Sequence, residues 1–556
     1  MTTATTQRAI QLIGPDQLRL NPAKAIPEPG DYQVLARVEV TGLCFSDLKL
    51  LKQFHGHVRK SEIVDGLSRG LLADMPNYVP GELPTVPGHE TVVRIVKVGR
   101  AVTSAKPGDR RLVQTDYRWL KTANSCAAFG YNFEGALQEY VLMDERAITS
   151  PDGESMLLPA SEGLSSSAIA LVEPWACVED SYVVQERRGL TPGGHLLIVG
   201  DYPGLDWNAF FTTFGRPATV SYYSTHAASL AGVGARELSS LELVGAETVN
   251  DILYFGADAE LVEQLFPKLA KGGLINLVLM GGAFARPVVT PVGRVHYGGV
   301  RITGTVGSDP AAGYRAIPAT GEIRPGDRIN IVGAAGPMGT MHVIRDLCQG
   351  VPGVSVFGGD MNDERLAALE RLARPLATAN QLSFTAYHAQ KNPPAGPFNY
   401  IGIMVPAPAL VAAAVVTAAP HALINIFAGI PAQVTHPVDL QAYIRQQAYF
   451  IGTSGSDLND MKLVLKKVEG RRLDTNLSVA AISGLDGAID GIRAVEKQLI
   501  AGKILVYPSC PGLPLTPLTE LANSLPDVAA GLKDGVWTKD AETALLRHFG
   551  VNQQGR

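Results

Sequence analysis

The sequence predicts an α/β protein: a mostly β domain first, two tandem doubly wound parallel-sheet units after it, and a last segment that returns to the first domain. Three observations predict this. The first 150 residues read as short strands cut by Gly and Pro turns, an internal repeat follows, and each copy of the repeat opens with a short strand of buried type, Leu196 to Val199 or Ile329 to Val332. At 556 residues the chain exceeds what one hydrophobic core serves, so several packed units are expected.

Composition narrows the class. With 46% apolar and 18% charged residues the chain is an ordinary globular one, and a formal charge of -5 without long single-sign blocks argues against nucleic acid or membrane partners. Five scattered cysteines, Cys44, Cys126, Cys177, Cys348 and Cys510, do not make a disulfide framework. The beginning of the sequence lacks a basic and apolar leader pattern, so a reducing, cytoplasmic location is expected. Leu410 to Ile430 is apolar but interrupted by Pro420 and His421, and is expected to belong to the repeat rather than to a membrane.

In the β domain, strands are expected at Val34 to Val40, Thr91 to Val98, Arg111 to Gln114 and Leu137 to Met143. Ser165 to Arg187 is helix-compatible and ends near Thr191-Pro-Gly-Gly. The boundaries expected are residues 1–190 for this domain, 191–320 and 321–457 for the two parallel-sheet units, and 458–556 for the return and tail.

The repeat is the most informative feature. Thr191 to Gly200 matches Arg324 to Gly333 at an offset of 133, Leu274-Ile-Asn276 matches Leu423-Ile-Asn425 at 149, and Gly304 to Asp309 matches Gly452 to Asp457 at 148. Each copy reads as a Rossmann-like unit. In the second, the strand runs into Gly333-Ala-Ala-Gly336-Pro337-Met338-Gly339 and a helical stretch, with Asp360 placed 21 residues after Gly339. Small residues would let a pyrophosphate approach a helix N-terminus, and the acid would accept ribose hydroxyls; Ala334 stands where the first glycine of such loops is usual. In the first copy Asp201 and Asp206 would repel a pyrophosphate, and the next strand ends without an acid, so this unit is expected not to hold the nucleotide.

Three constellations carry chemistry: Gly42-Leu-Cys44-Phe-Ser46-Asp47, Pro87-Gly-His89-Glu90 and Glu173-Pro-Trp-Ala-Cys177. A thiolate, an imidazole and a carboxylate from separate segments make the ligand set of an open catalytic zinc site. In this order, and followed by a Rossmann unit, these elements closely resemble the zinc-dependent medium-chain dehydrogenases, especially the sorbitol and threonine dehydrogenase branch. The resemblance covers residues 30 to 190 and 324 to 510. Lys106-Pro-Gly-Asp-Arg110 and Phe133 to Tyr140 match that family's GroES-like domain.

The resemblance implies one zinc at Cys44 and His89, with Glu90 or Glu173 as carboxylate, Ser46 relaying the hydroxyl proton and Asp47 orienting the metal's ligands. It implies NAD bound by Gly333, Gly336, Pro337, Met338, Gly339 and Asp360, and hydride transfer from a secondary alcohol of a polyol, sugar or sugar phosphate. A redox-neutral epimerase or eliminating enzyme, or a non-catalytic ligand-binding protein, are the alternatives.

Several features depart from the family. Only Cys126 lies where relatives often carry four cysteines for a second zinc, and Lys49 occupies a position commonly held by a proton-passing histidine. The loop Phe54-His-Gly-His-Val-Arg-Lys60 either reaches over the substrate or is a solvated surface loop. His195 and His421 are expected to be structural, and the tail from Ser509 is given no chemistry. The first Rossmann-like unit is expected to act as a built-in partner of the second, making a pseudo-dimer inside one chain and leaving other surfaces for a homo-oligomer.

Overall fold

The structure, a computed structural model, describes residues 5–551 apart from 202–203, 225–229, 231–232 and 454. Tyr202 and Pro203 of the first repeat's loop, and Ser454 of the last repeat match, therefore lie outside the described residues. The chain divides into two compact units, one from the residues up to Ala176 together with those from Ser456 onward, the other Cys177–Gly455.

The first unit is built on a mixed sheet in the order Leu157–Pro159, Arg110–Val113, Glu90–Val98, Gln33–Gly42, Lys503–Val506, Val479–Ser483, Thr516–Pro517, with Tyr140–Asp144 also paired to Gln33–Gly42. Gln33–Gly42 is buried on nearly every residue, as a strand covered on both faces should be. Tyr140–Asp144 starts later than expected because Gln138 turns inward, wholly buried, and donates to Gly135 O at 2.8 Å. The closing segment does return: Leu505 pairs with Gly42 and Val506 with Thr41, antiparallel.

The tail takes part in this unit. Trp537, wholly buried, donates from Nε1 to Tyr507 OH (3.1 Å), and Tyr507 OH donates to Glu542 Oε2 (3.0 Å). Glu542 in turn accepts from Ser166 N and Ser167 N at 2.6 and 2.8 Å, satisfying donors that the start of a helix leaves open.

The second unit holds two six-stranded sheets whose paired strands run parallel. Their orders are Arg236–Glu237, Thr219–Tyr223, His195–Val199, Val249–Phe255, Leu269–Val278, Arg301–Thr305, and Ser383–His388, Ser355–Asp360, Arg328–Val332, Phe398–Ile403, Ala418–Ile426, Tyr449–Ile451. In both, the earliest strand in the chain stands third, where the strand order reverses. The shared Leu-Ile-Asn motif is a buried one in each sheet: Asn276 Nδ2 donates to Pro310 O (2.8 Å), Asn425 Nδ2 to Tyr400 OH (2.9 Å). Leu410 to Ile430 is split between a helix, Pro408–Thr417, and the strand Ala418–Ile426. Among the described residues no helix is long and apolar enough to cross a membrane.

The two sheets share one apolar core that runs from Leu197, Ile252 and Ile302 to Ile401, Ile424 and Tyr443. Short strands Val288–Thr290 and His436–Val438 pair antiparallel, Val289 opposite Pro437. Tyr443 OH donates to Ile302 O (2.8 Å) and Arg301 Nη2 to Gly452 O (3.1 Å).

A buried polar group anchors the helix Pro337–Cys348. Arg345 bonds Glu179 and Glu322, its guanidinium lies 3.8 Å from the Tyr182 ring centroid, and Tyr182 OH lies 2.8 Å from His342 Nδ1. Asp346 is wholly buried beside them, and burial pushes its carboxyl up to about 8 against the pull of Arg345. Between the unfolded value near 4 and about 8, the folded chain holds a proton that the unfolded chain has released, so stability falls as pH rises through that window. One such proton contributes a slope of up to ~1.4 kcal/mol per pH unit. Thermal midpoints from pH 5 to 8.5 should decline less in Asp346→Asn than in the wild type; parallel declines would assign the effect to other groups.

Candidate functional site

The candidate metal centre lies in the first unit and is assembled by two turns. Cys44 precedes the helix Phe45–Gln53, and Asp47 at its third position accepts from Cys44 N at 3.0 Å, a local cap that fixes the turn. The second oxygen of Asp47 lies 3.0 Å from His89 Nδ1. One carboxylate therefore caps the helix and orients the imidazole, directing Nε2 toward the site. Burial opposes charge on His89, but Asp47 and Tyr131 hold its pKa well above the ordinary value.

Cys44, His89 and Glu90 offer donor atoms that all lie within 4.8 Å of one another. Ser46 Oγ lies 3.1 Å from Cys44 Sγ and 3.2 Å from His89 Nε2, within reach of both donors. Glu90 is wholly buried; Oε1 pairs with Lys503 Nζ, and Oε2 has no hydrogen-bond partner. A thiol, an imidazole with its far nitrogen already held and an orphaned carboxylate oxygen fit a zinc ion better than they fit each other.

Glu173, in the first turn of Val172–Val183, stands outside that 4.8 Å group. Its carboxyl is pushed up to about 7, first by burial, with Glu90 adding to the rise and His89 and Lys503 opposing it. The structure thus brings together Cys44, Ser46, Asp47, His89 and Glu90 and leaves Glu173 as a buried acid close enough to feel their charges.

The loop 54–60 is not simply solvated. His57 is buried, and Lys60, also buried, donates to Val79 O and to Leu83 O (2.7 Å). Burial lowers the Lys60 pKa to about 8 and, with Arg59 and Lys49 adding repulsion, the His57 pKa to about 4. The Arg59 guanidinium, 5.5 Å from the Tyr131 ring centroid, pairs with Asp116 at 2.8 Å. Tyr131, Asp116 and Lys503 carry no local motif, so reasoning from the sequence did not single them out.

In the second unit Gly336 caps the helix Pro337–Cys348 without a side-chain bond, and Gly333 has φ +82°. A Cβ on Gly339 would lie 2.2 Å from Gly333 O, so only glycine permits this approach of helix to loop. Asp360 ends its strand and accepts from Ala335 N (3.3 Å) and Met361 N (2.8 Å), which turns its carboxylate toward the loop. Pro337 is exposed and Met338 half-buried at the helix start. In the first sheet the corresponding helix, Trp207–Phe214, is capped by Asp206, which accepts from Asn208 N and Ala209 N at 3.0 Å each. His195 Nε2 lies 3.0 Å from Ser221 Oγ on the neighbouring strand.

Residues 30–152 match the alcohol dehydrogenase GroES-like domain. L-sorbose 1-phosphate reductase of Klebsiella pneumoniae is 28% identical over 237 residues, 41% of this chain and 56% of that protein. D-arabitol-phosphate dehydrogenase of Enterococcus avium is 31% identical over 190 residues, 32% of this chain and 44% of that protein. The chain spans about half the length of the curated relatives it matches. The structure of 2R,3R-butanediol dehydrogenase from Bacillus subtilis is similar in fold, with a TM-score of 0.52 and 14% identity over 90% of this chain and 100% of that one. The resemblance to medium-chain alcohol and polyol dehydrogenases read from the motifs is thus matched by a GroES-like domain over residues 30–152 and by similarity to sugar-phosphate dehydrogenases and reductases over part of the chain.

The Glu90–Lys503 pair makes a stability prediction. Lys503→Met leaves a carboxylate buried and unpaired, and should cost about 3–5 kcal/mol in denaturant unfolding with chelator present. Lys503→Met with Glu90→Gln should recover most of that loss; a double variant as unstable as the single one would show that the pair is not what Lys503 contributes.

Proposed function

We propose that this relative of the medium-chain alcohol and polyol dehydrogenases is an NAD-linked, zinc-dependent oxidoreductase acting on a secondary hydroxyl of a polyol, sugar or sugar phosphate. The observation that carries the reading is the 4.8 Å grouping of Cys44, His89 and Glu90 donors with Ser46 Oγ touching two of them. The similarity to a sorbose-phosphate reductase and an arabitol-phosphate dehydrogenase favours the substrate class.

Cys44 and His89 would hold the zinc, with Glu90 or Glu173 as the carboxylate. Bound there, zinc would supply a Lewis acid that lowers the pKa of an alcohol oxygen, and NAD would supply the hydride acceptor. Asp47 keeps the His89 ring in the tautomer that offers Nε2. Ser46 Oγ would take the hydroxyl proton, a role supported by its short distances to Cys44 Sγ and His89 Nε2. Lys49, three residues on, replaces the usual next carrier, so the proton leaves Ser46 by another route.

For the nucleotide, Gly333, Gly336, Pro337, Met338 and Gly339 would line the pyrophosphate and Asp360 would accept the ribose hydroxyls. We read both sheets as Rossmann units and the first as a built-in partner of the second. Its helix start is already capped by the Asp206 carboxylate, which disfavours an anion. The pairing register supports the twofold: at the repeat offset of 148, Val288 to Thr290 are the counterparts of His436 to Val438, and Val289 faces its own counterpart Pro437. That is the pattern of a self-complementary interface.

Purified chain should carry one zinc, lost in Cys44→Ser with the fold largely kept; two zincs, or unchanged metal content in the variant, would defeat the assignment. Calorimetry should find one NAD per chain and a preference over NADP that Asp360→Ala weakens by about 1.5–3 kcal/mol. Two bound NAD molecules, or equal catalytic efficiency of the wild type with both nucleotides, would refute the nucleotide assignment.

A further inference from the structure

The first parallel sheet carries a cleft that the second one lacks. In the first, His195 stands opposite Thr219 and Ser221 opposite Arg236; at the same places in the second, Arg328 stands opposite Ser355 and Phe357 opposite Thr385. The repeat offset of 133 likewise equates His195 with Arg328. In the second sheet this face is filled, the Arg328 guanidinium lying 5.2 Å from the ring centroids of both Phe357 and Phe398. In the first, Ser221 takes the place of Phe357, and its Oγ lies 3.0 Å from His195 Nε2. A cavity of about 630 Å³ opens there, the size of a small-molecule site. His195, Thr219 and Arg236 each begin a strand, whereas Asp360 ends one, so the cleft lies toward the strand ends opposite to those that carry the glycine loop in the second sheet.

Two cations line the cleft, and neither is neutralised. The Arg216 guanidinium lies 5.6 Å from the Phe211 ring centroid, and its Nη2 donates to the uncharged Asn208 Oδ1 at 3.3 Å. These contacts hold the plane of the guanidinium and leave its charge. Arg236 is exposed and makes no ion pair or side-chain hydrogen bond among the described residues. None of the described residues lining the cleft is acidic. Glu237, next to Arg236, alternates to the other face of the sheet, where it accepts from Tyr222 OH at 3.3 Å. Thr219 and Ser221 add hydroxyls on the cleft's own face.

Two guanidinium forks and two hydroxyls offer more donors than the two oxygens of a carboxylate take up, and they suit the three oxygens and double charge of a phosphate monoester. The rest of the volume admits the organic part of such an ester. We propose that this cleft binds a small phosphorylated molecule through Arg216 and Arg236, at a site separate from the glycine loop of the second sheet. The proposal does not rest on the dehydrogenase reading, because binding alone reports it.

The experiment is calorimetry on the full chain with inorganic phosphate, glucose 6-phosphate and adenosine monophosphate, with glucose and malate as controls, repeated in the presence of saturating NAD. At least one of the two esters should bind at one site per chain and persist with NAD present. Arg216→Gln and Arg236→Gln each change an exposed side chain and should weaken that binding tenfold or more. Ser221→Phe, which installs the second sheet's residue, should abolish it. Tighter binding of adenosine monophosphate would make this a nucleotide site and tighter binding of glucose 6-phosphate a sugar-phosphate site, and each supports the proposal. Binding of inorganic phosphate alone, no binding at all, an ester displaced by NAD, affinity unchanged in both arginine variants, or malate bound as tightly as the esters would each overturn it.

Discussion

The interaction on which the site depends is the buried pair between Glu90 and Lys503, made across Gly42. Glu90 begins one strand, Gly42 ends the next and Lys503 begins the third, so three segments far apart in the chain meet at the edge where the metal donors gather. A Cβ on Gly42 would lie 2.2 Å from Glu90 Oε2, so the bare backbone there is what lets the carboxylate lie across it. Burying two charges is costly, and the pair is tolerated because Lys503 balances the Glu90 charge and bonds one of its oxygens, leaving Oε2 for the candidate metal. Through it, the return of the chain to its first domain becomes a condition for pairing the buried Glu90 carboxylate, and the long insertion of residues 177–455 has to fold without disturbing that closure.

The two parallel sheets show how one topology takes different local chemistry. Their strand orders are the same, yet one helix start is filled by its own aspartate and the other is left open beside Gly336 with an acid held on the neighbouring strand. An anion at the first would meet a carboxylate already taking the free N–H groups. At the second, the N–H groups carry no side-chain cap, and Gly339 lets helix and loop approach as a larger side chain would not.

Much of this was legible in the sequence because it is local. The strands around Val34 and Thr91, the glycine loop at 333–339 and the Cys44 to Asp47 turn follow from patterning and from short spacings, and the structure has them. The groups that sequence missed are those whose partners are distant. Lys503 looks like the polar start of a strand until Glu90 is found beside it, and Tyr131 gains its place only because His57, Arg59 and His89 converge on one ring. Trp537 and Glu542 lie in a tail that reads as polar, and their roles depend on contacts outside any local motif, with Tyr507 some thirty residues back and with the helix at Ser166, 376 residues from Glu542. Glu173 shows the limit from the other side: its motif offers it beside Glu90 as the carboxylate, and the motif does not say that it is buried and lies outside the 4.8 Å donor group.

The central claim is a single open metal site built on one sulfur and one imidazole. Zinc-edge X-ray absorption of the purified chain tests it directly. The account predicts one sulfur near 2.3 Å and three nitrogen or oxygen neighbours near 2.0–2.2 Å, the distances usual for thiolate, imidazole and carboxylate or water ligands. A spectrum dominated by four sulfurs, or one with no sulfur at all, would contradict it.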